Sequence, residues 1–219
     1  MPPRALSPSG ILLVDKPAGP TSFDIVASMR KRTGARTGHA GTLDPFATGL
    51  LLLLSGAATR LQSHFVGLDK RYLTEIDLAA TTSTGDPEGE IVEEHEASLP
   101  AELDARLSSL RGAIDLAIPA VSAVKIGGER AYRLHRRGVV VEMPVRRMQV
   151  HELRLDEYTD GIARLELLVS SGTYVRAIAE ALGGHCRTLR RTEIGPFSIG
   201  EADPERMLPP EEALARLSA

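Results

Sequence analysis

The stretch Gly38-His-Ala-Gly-Thr-Leu-Asp-Pro-Phe-Ala-Thr-Gly49, followed directly by Leu50-Leu-Leu-Leu-Leu54, sets the frame for the whole chain. The five leucines form an apolar run of strand length, far too short to cross a bilayer. The segment before them is broken by Gly and Pro and reads as loop. It carries an imidazole, His39, and a carboxylate, Asp44. Loops held on a rigid sheet are a common place to display reactive groups. An Asp before a Pro is also an ordinary turn former, and a loop His an ordinary polar residue. The stretch therefore admits both a structural and a chemical reading.

Working outward, Gly10-Ile-Leu-Leu-Val-Asp15 is a short buried strand broken by Lys16-Pro-Ala-Gly-Pro20. Thr21 or Ser22 caps a helix expected to turn Phe23, Ile25, Val26 and Met29 inward. Arg30-Lys-Arg32 complements its dipole and Gly34 stops it. On the other side, Tyr72, Thr74, Ile76 and Leu78 alternate with Leu73, Glu75 and Asp77, the pattern of a strand with one wetter face. Residues 82–89 form a turn and Ile91-Val92 return as a partner strand. Pro100 opens a helix to Leu110. Ala163, Leu165, Leu167 and Val169 share one face of a strand. Tyr174 to Leu182 is a helix ended by Gly183-Gly184, residues 187–194 form a last strand, and Pro209-Pro210 starts a final helix. Strands and helices mix without regular βαβ alternation. The expected fold class is α+β: a mixed, largely antiparallel sheet flanked by helices, with an Arg-rich inserted segment at about 120–148.

The 219 residues could make one large domain or two small ones, and either can bury a core. No internal repeat occurs, and no linker is long enough to separate two domains. A composition of 42% hydrophobic and 25% charged residues excludes collagen-like, low-complexity and mostly disordered classes. One cysteine, Cys186, cannot form an internal disulfide or a cysteine-rich zinc site, which fits a reducing compartment. The first nine residues lack the apolar core of a secretory signal. A cytoplasmic location is expected.

The net charge of −3 argues against a nucleic-acid partner until it is divided. Residues 75–104 hold ten acids and no Lys or Arg, so 26 basic and 19 acidic residues remain elsewhere. The basic ones cluster: Arg30, Lys31, Arg32 and Arg36; then Lys125, Arg130, Arg133, Arg136, Arg137, Arg146 and Arg147; then Arg176, Arg187, Arg190 and Arg191. Such clusters can neutralise phosphates, or can simply be solvated faces. The acid-only block is expected to face away from a polyanion.

For chemistry there is no Ser-His-Asp trio, no close His/Glu pair and no phosphate-cradling Gly-Lys-Ser loop, so no metal is expected. Two segments could complete a site around Asp44. Lys70-Arg-Tyr72 opens a strand with a phenol, and Ser170-Ser-Gly-Thr-Tyr-Val-Arg176 turns into a helix. An Arg beside an Asp would hold it ionised, which suits a carboxylate nucleophile. Tyr72 can stack on a displaced base. The plainer roles are an edge-strand aromatic for Tyr72, a core contact for Tyr174 and a surface ion pair for Arg176.

Taken together these segments resemble the TruB-type tRNA pseudouridine synthases. The likeness runs through residues 14–22, 38–49, 70–72, 118–125, 131–138, 171–176 and 189–192, in the family's order over roughly residues 10–200. Its most specific parts are Gly-His-x-Gly-x-Leu-Asp-Pro and Gly-Thr-Tyr-x-Arg. The resemblance implies a pseudouridine-synthase fold and isomerisation of uridine to pseudouridine at position 55 in the T-loop of tRNA. It implies Asp44 as nucleophile, at C6 of the base or C1′ of the ribose, with Arg176 as its partner. Tyr72 would stack on the flipped base and assist a proton transfer. Tyr174 and Leu189 would line the pocket, and His39 would fill the space the base vacates. No metal or cofactor is implied, and the partner is the tRNA T-arm stem-loop bound by a monomer. Residues 1–219 would be a single catalytic domain with no C-terminal PUA domain. One departure is Ser83, where the family usually carries an Asp. A tRNA-binding helper without turnover and a two-carboxylate glycosidase are the competing classes. The latter needs a second catalytic acid, and none stands out.

Overall fold

The computed structural model describes residues 9–97 and 100–218. In chain order the elements are β1 (Gly10–Lys16), α1 (Ser22–Thr33), β2 (Thr37–His39) and β3 (Thr48–Ser55), then a short 3-10 turn leading to α2 (Gln62–Val66). Next come β4 (Lys70–Asp77), β5 (Ala80–Thr82), β6 (Ile91–Glu94), α3 (Pro100–Ser109), β7 (Gly112–Ala117), β8 (Lys125–Ile126), β9 (Glu129–Arg130) and α4 (Ala131–Arg136). The chain closes with β10 (Val145–Thr159), β11 (Ile162–Val169), α5 (Val175–Ala181), β12 (His185–Ile194), β13 (Phe197–Ser198), β14 (Met207–Leu208) and α6 (Pro210–Ala215). Two compact units result, Met1–Leu73 with Leu189–Ala219, and Thr74–Thr188. Strands β4 and β12 run from one unit into the other.

The first unit is built on β3. This strand pairs antiparallel with β1 from Gly10↔Ser55 to Lys16↔Gly49, and parallel with β12 at Arg190↔Thr48 and Arg191↔Gly49. Leu50, Leu52 and Leu54 pack with Ile11, Leu13, Phe65, Ile194 and Phe197. Leu51 and Leu53 pack on the opposite face with Leu12, Val14, Val26 and Met29. A strand covered on both faces needs an unbroken apolar run, and this is the physical reason for five leucines in a row. The strand order here is β14-β1-β3-β12, with β2 also on β3 and β13 on β12.

Helix α1 begins and ends where the sequence indicates. Thr21 caps it in a reciprocal box with Asp24, and Gly34 closes it at φ 68°. Its inner stripe differs from expectation: Ser22, Val26 and Met29 are buried, Ile25 is half-buried, and Phe23 is 62% exposed. Positions 22, 26 and 29 fall within a narrow arc at 100° per residue, and Phe23 lies about a quarter turn away.

In the second unit the main sheet runs β4-β11-β10-β7. Ala163, Leu165, Leu167 and Val169 of β11 are buried as anticipated. The sequence pattern did not reveal β10, the longest strand. Register shifts between Val150 and Glu152 and between Leu155 and Glu157 explain why. Each bulge flips the phase of alternation, so buried Met148 and Val150 are followed by Leu153 instead of residue 152. The Arg-rich excursion is shorter than expected, because Val145 to Met148 already pair with Ile114 to Ala117 of β7. What stands off the main sheet there is the β8–β9 hairpin and α4. Strand β6 pairs with β5 as a separate two-stranded ribbon, with Ile91 opposite Thr82, and both Ile91 and Val92 are exposed. Residues 187–194 are not the last strand, since β13 and β14 follow. Most pairings are antiparallel, and β3 with β12 is parallel, which gives the mixed α+β sheet.

Gly49 is required twice over. Its φ is 105°, and a Cβ there would lie 2.2 Å from the Arg191 carbonyl oxygen. The substitution Gly49→Ala should cost about 3 kcal/mol of unfolding free energy by combining backbone strain with displacement of β12. Urea denaturation checks this, and a loss under about 1 kcal/mol would show that the strands can separate there.

Candidate functional site

The loop between β2 and β3 carries Asp44, half-buried, and is held by side chains that bond to its backbone. Ser22, buried at the start of α1, donates its hydroxyl to the Leu43 carbonyl at 2.9 Å and accepts from the Leu43 N–H at 2.8 Å. Lys16 is fully buried, and its ammonium donates to the carbonyls of Pro17 and Pro20 at 2.8 Å and Pro45 at 3.1 Å. The Gly19 N–H also reaches the Pro45 carbonyl, at 2.9 Å. Asp44 is thus fixed from both neighbours, by Ser22 through Leu43 and by Lys16 through Pro45. Gly- and Pro-rich loops leave carbonyls without strand partners, and buried cations meet that need.

Arg191 secures the opposite side. It is 1% exposed, and its guanidinium donates to Leu50 at 2.7 Å, Gly41 at 3.3 Å and Thr42 at 3.4 Å, all main-chain carbonyls. Lys70 is also buried and donates to the carbonyls of Val66 at 2.7 Å and Leu68. Burial first, and then the charge of Arg191, push the Lys70 ammonium down to about 8, partly opposed by Asp69. The same two causes hold His39 below the ordinary histidine range, so its ring is neutral at pH 7. His39 ends β2, where a loop position was expected. Its carbonyl accepts from Gln62 at 2.7 Å, and its ring Nδ1 is buried without a hydrogen-bond partner.

Tyr72 and Leu189 are 8% and 7% exposed, on β4 and β12. Tyr72 lies two residues from Lys70, and Leu189 two from Arg191. Strand alternation therefore places each on the same face as a cation near Gly41. In the first unit, Arg191 and Lys70 approach Gly41, and Arg191 acts on His39, at the start of the loop that carries Asp44. The edge-strand reading of Tyr72 does not hold, since β4 has a strand on each side, β12 and β11.

Tyr174 and Arg176 belong to the second unit. Tyr174 is the N-cap residue of α5, half-buried, with the Arg146 guanidinium 5.9 Å from its ring centroid. Arg176 is 2% exposed, which corrects the surface-ion-pair reading. It donates to the carbonyls of Thr84 at 2.7 Å and Val121 at 2.8 Å and pairs with buried Asp86 at 3.4 Å. Asp86 also accepts from the Thr84 hydroxyl at 2.5 Å and the Glu88 N–H at 3.1 Å. Ser83, the departure from the family pattern, accepts from the Glu90 N–H at 3.1 Å, so this turn closes through Ser83 itself.

The third basic cluster is largely spent internally. Arg176 and Arg191 are buried, and Arg190 pairs with Asp15 at 2.7 Å. Sequence reasoning treated Lys16 as part of a strand breaker and passed over Arg191 as a loop clamp. The available signal was the lysine that ends the apolar strand β1, beside a loop rich in Gly and Pro. Among the described residues, no group of three His, Cys, Asp or Glu is placed to hold a metal, and no helix is long and apolar enough to cross a membrane.

Residues 29–175 match the family described as TruB family pseudouridylate synthase (N terminal domain). The chain is 42% identical over 219 residues to the tRNA pseudouridine synthase B of Mycobacterium sp. (strain KMS), covering 94% of this chain and 74% of that protein. It is 44% identical over 210 residues to the tRNA pseudouridine synthase B of Arthrobacter sp. (strain FB24), covering 89% and 68%. Among solved structures, a chain of a Cbf5-Nop10-Gar1 complex superposes with a TM-score of 0.67 at 26% identity, over 86% of this chain and 50% of that one.

The depressed Lys70 pKa has a measurable consequence. Between about 8 and the ordinary 10.5 the unfolded chain binds more protons at this site, so stability rises with pH across that window. Urea midpoints for the protein and for Lys70→Met at pH 7.5, 8.5 and 9.5 should diverge, with the protein gaining relative to the variant. Parallel curves would show that Lys70 titrates normally.

Proposed function

The chain belongs to the TruB family of pseudouridylate synthases, and from that premise we propose that it converts uridine 55 in the tRNA T-loop to pseudouridine, with Asp44 as nucleophile. The reaction breaks the N1–C1′ bond and forms C5–C1′, while the proton lost from C5 is balanced by one gained at N1. It is an isomerisation and consumes no oxidant, reductant or phosphoryl donor. The observation that carries the reading is Asp44, fixed through both neighbours in a loop underlain by Lys16 and Arg191. A carboxylate held at a fixed position in a loop can serve as a nucleophile. Attack falls on C6 of the uracil or C1′ of the ribose.

Arg176 is the cationic partner of Asp44 in the reacting complex, and its hydrogen bonds to Thr84 and Val121 support a fixed guanidinium. Tyr72 stacks on the extruded uracil and assists the proton transfer from C5. Tyr174 and Leu189 line the pocket. His39, neutral and carrying an unpartnered buried nitrogen, takes the place vacated by the base. Base extrusion costs a few kcal/mol. Phosphate contacts offset that cost, supplied by the exposed Lys125, Arg130, Arg133, Arg136, Arg146 and Arg147 on and beside the β8–β9 hairpin and α4. The enzyme acts in the cytoplasm as a monomer on the T-arm stem-loop, without metal or redox cofactor.

Unmodified tRNA incubated with the protein and then treated with carbodiimide should carry an alkali-resistant adduct at position 55. Asp44→Asn should give none while tRNA binding is retained, and product from that variant would remove Asp44 as nucleophile. Arg176→Ala should lower kcat by about 100-fold, in line with loss of an electrostatic partner of the reacting groups, with a far smaller change in tRNA Kd. Equal large losses in both would argue against its placement beside Asp44.

A further inference from the structure

Phe23 is a large apolar side chain on α1 that the packing leaves in solvent, at 62% exposure. The other three phenylalanines are not exposed: Phe65 and Phe197 are fully buried and Phe46 is half-buried. A single exposed apolar residue is ordinary on a protein surface. Its surroundings distinguish this one. The Arg30 guanidinium lies 5.7 Å from the ring centroid. That guanidinium is held in turn by two hydrogen bonds to the Thr37 carbonyl, at 3.0 Å from Nε and 2.6 Å from Nη2. Arg30 thus offers the ring a fixed cationic neighbour, with its rotamer freedom already removed.

Phe23, Ala27 and Arg30 stand at i, i+4 and i+7 and share the outer face of the helix. Ala27 is exposed and small, which leaves a shallow shelf between ring and guanidinium. Lys31 and Arg36 add exposed positive charge nearby. The acid on this turn, Asp24, is engaged by Thr21, whose hydroxyl and backbone N–H both donate to it and hold its carboxyl below the usual range. The shelf is also coupled to the reactive loop. Ser22, the residue before Phe23, makes the reciprocal hydrogen bonds to Leu43, the residue before Asp44.

We infer that the Phe23–Arg30 shelf is a stacking platform for an unpaired base of the substrate RNA near the reacting uridine, an inference that rests on the proposed RNA-modifying role. An aromatic face beside fixed cations suits a nucleobase attached to a phosphodiester. A second copy of the chain is a poorer occupant, because a two-fold contact would bring Arg30 and Lys31 against their own images. Phe23 acts by positioning RNA and takes no part in bond making.

The test is tRNA affinity of the full chain at fixed salt, for the protein and for Phe23→Ala, Phe23→Leu and Phe23→Trp. Base–aromatic stacking is worth about 1–3 kcal/mol, so Phe23→Ala should weaken Kd by roughly 5- to 150-fold. Phe23→Trp should keep the affinity. Phe23→Leu, apolar but without a π face, should resemble the alanine variant. Turnover at saturating tRNA should stay within about twofold, as expected when only uniform binding is lost. An unchanged Kd in Phe23→Ala, or full rescue by leucine, overturns the inference. A change in oligomeric mass with unaltered Kd marks the face as a protein interface and overturns it too. Because Kd is read independently of product, a protein that binds tRNA in this way without making pseudouridine would sink the catalytic reading and leave the platform standing.

Discussion

The buried guanidinium of Arg191 is the interaction on which the first unit depends. A cation with 1% exposure would carry a large desolvation cost if its donors were unmet. Here they meet the carbonyls of Gly41 and Thr42, in the break between β2 and β3, and that of Leu50 in β3. The loop needs donors and the arginine needs acceptors. Gly49 lets the two strands come this close, since any Cβ there would collide with the Arg191 backbone. Lys16 repeats the arrangement on the other side of Asp44. The candidate nucleophile is therefore carried by a loop whose conformation is set by cations beneath it.

Those cations change the meaning of the charge distribution. The basic clusters admitted phosphate contacts or solvated faces, and several of their residues serve the interior instead. Arg176 and Arg191 are buried, while Arg32, Arg137 and Arg190 pair with Glu205, Glu129 and Asp15. The second cluster and part of the first remain on the surface. Linear clustering shows where basic residues are abundant, and it cannot separate a guanidinium that faces solvent from one that satisfies loop carbonyls.

The same limit applies to secondary structure. Strands with one continuous phase, such as β4 and β11, were legible because alternation is local. Strand β10 was not, because two bulges reset its phase and the evidence for a strand lies in its partners β7 and β11. In α1 the caps were legible, since capping depends on neighbours within four residues. The outward position of Phe23 was not, because the inward position next to it goes to Ser22, whose partner Leu43 is 21 residues away.

By itself the sequence determined the α+β class, the apolar strand β3, the ends of α1 and α5, and the family to which the chain belongs. Ordered motifs and short-range patterns suffice for those. Only the tertiary structure decided that Lys16, Lys70 and Arg191 are buried beneath the Asp44 loop, that Arg176 is an interior residue paired with Asp86, and that His39 ends a strand with one ring nitrogen unpartnered. The reason is that burial and hydrogen bonding of a charged side chain depend on groups distant in sequence. No local pattern records whether such a group will meet water or a carbonyl.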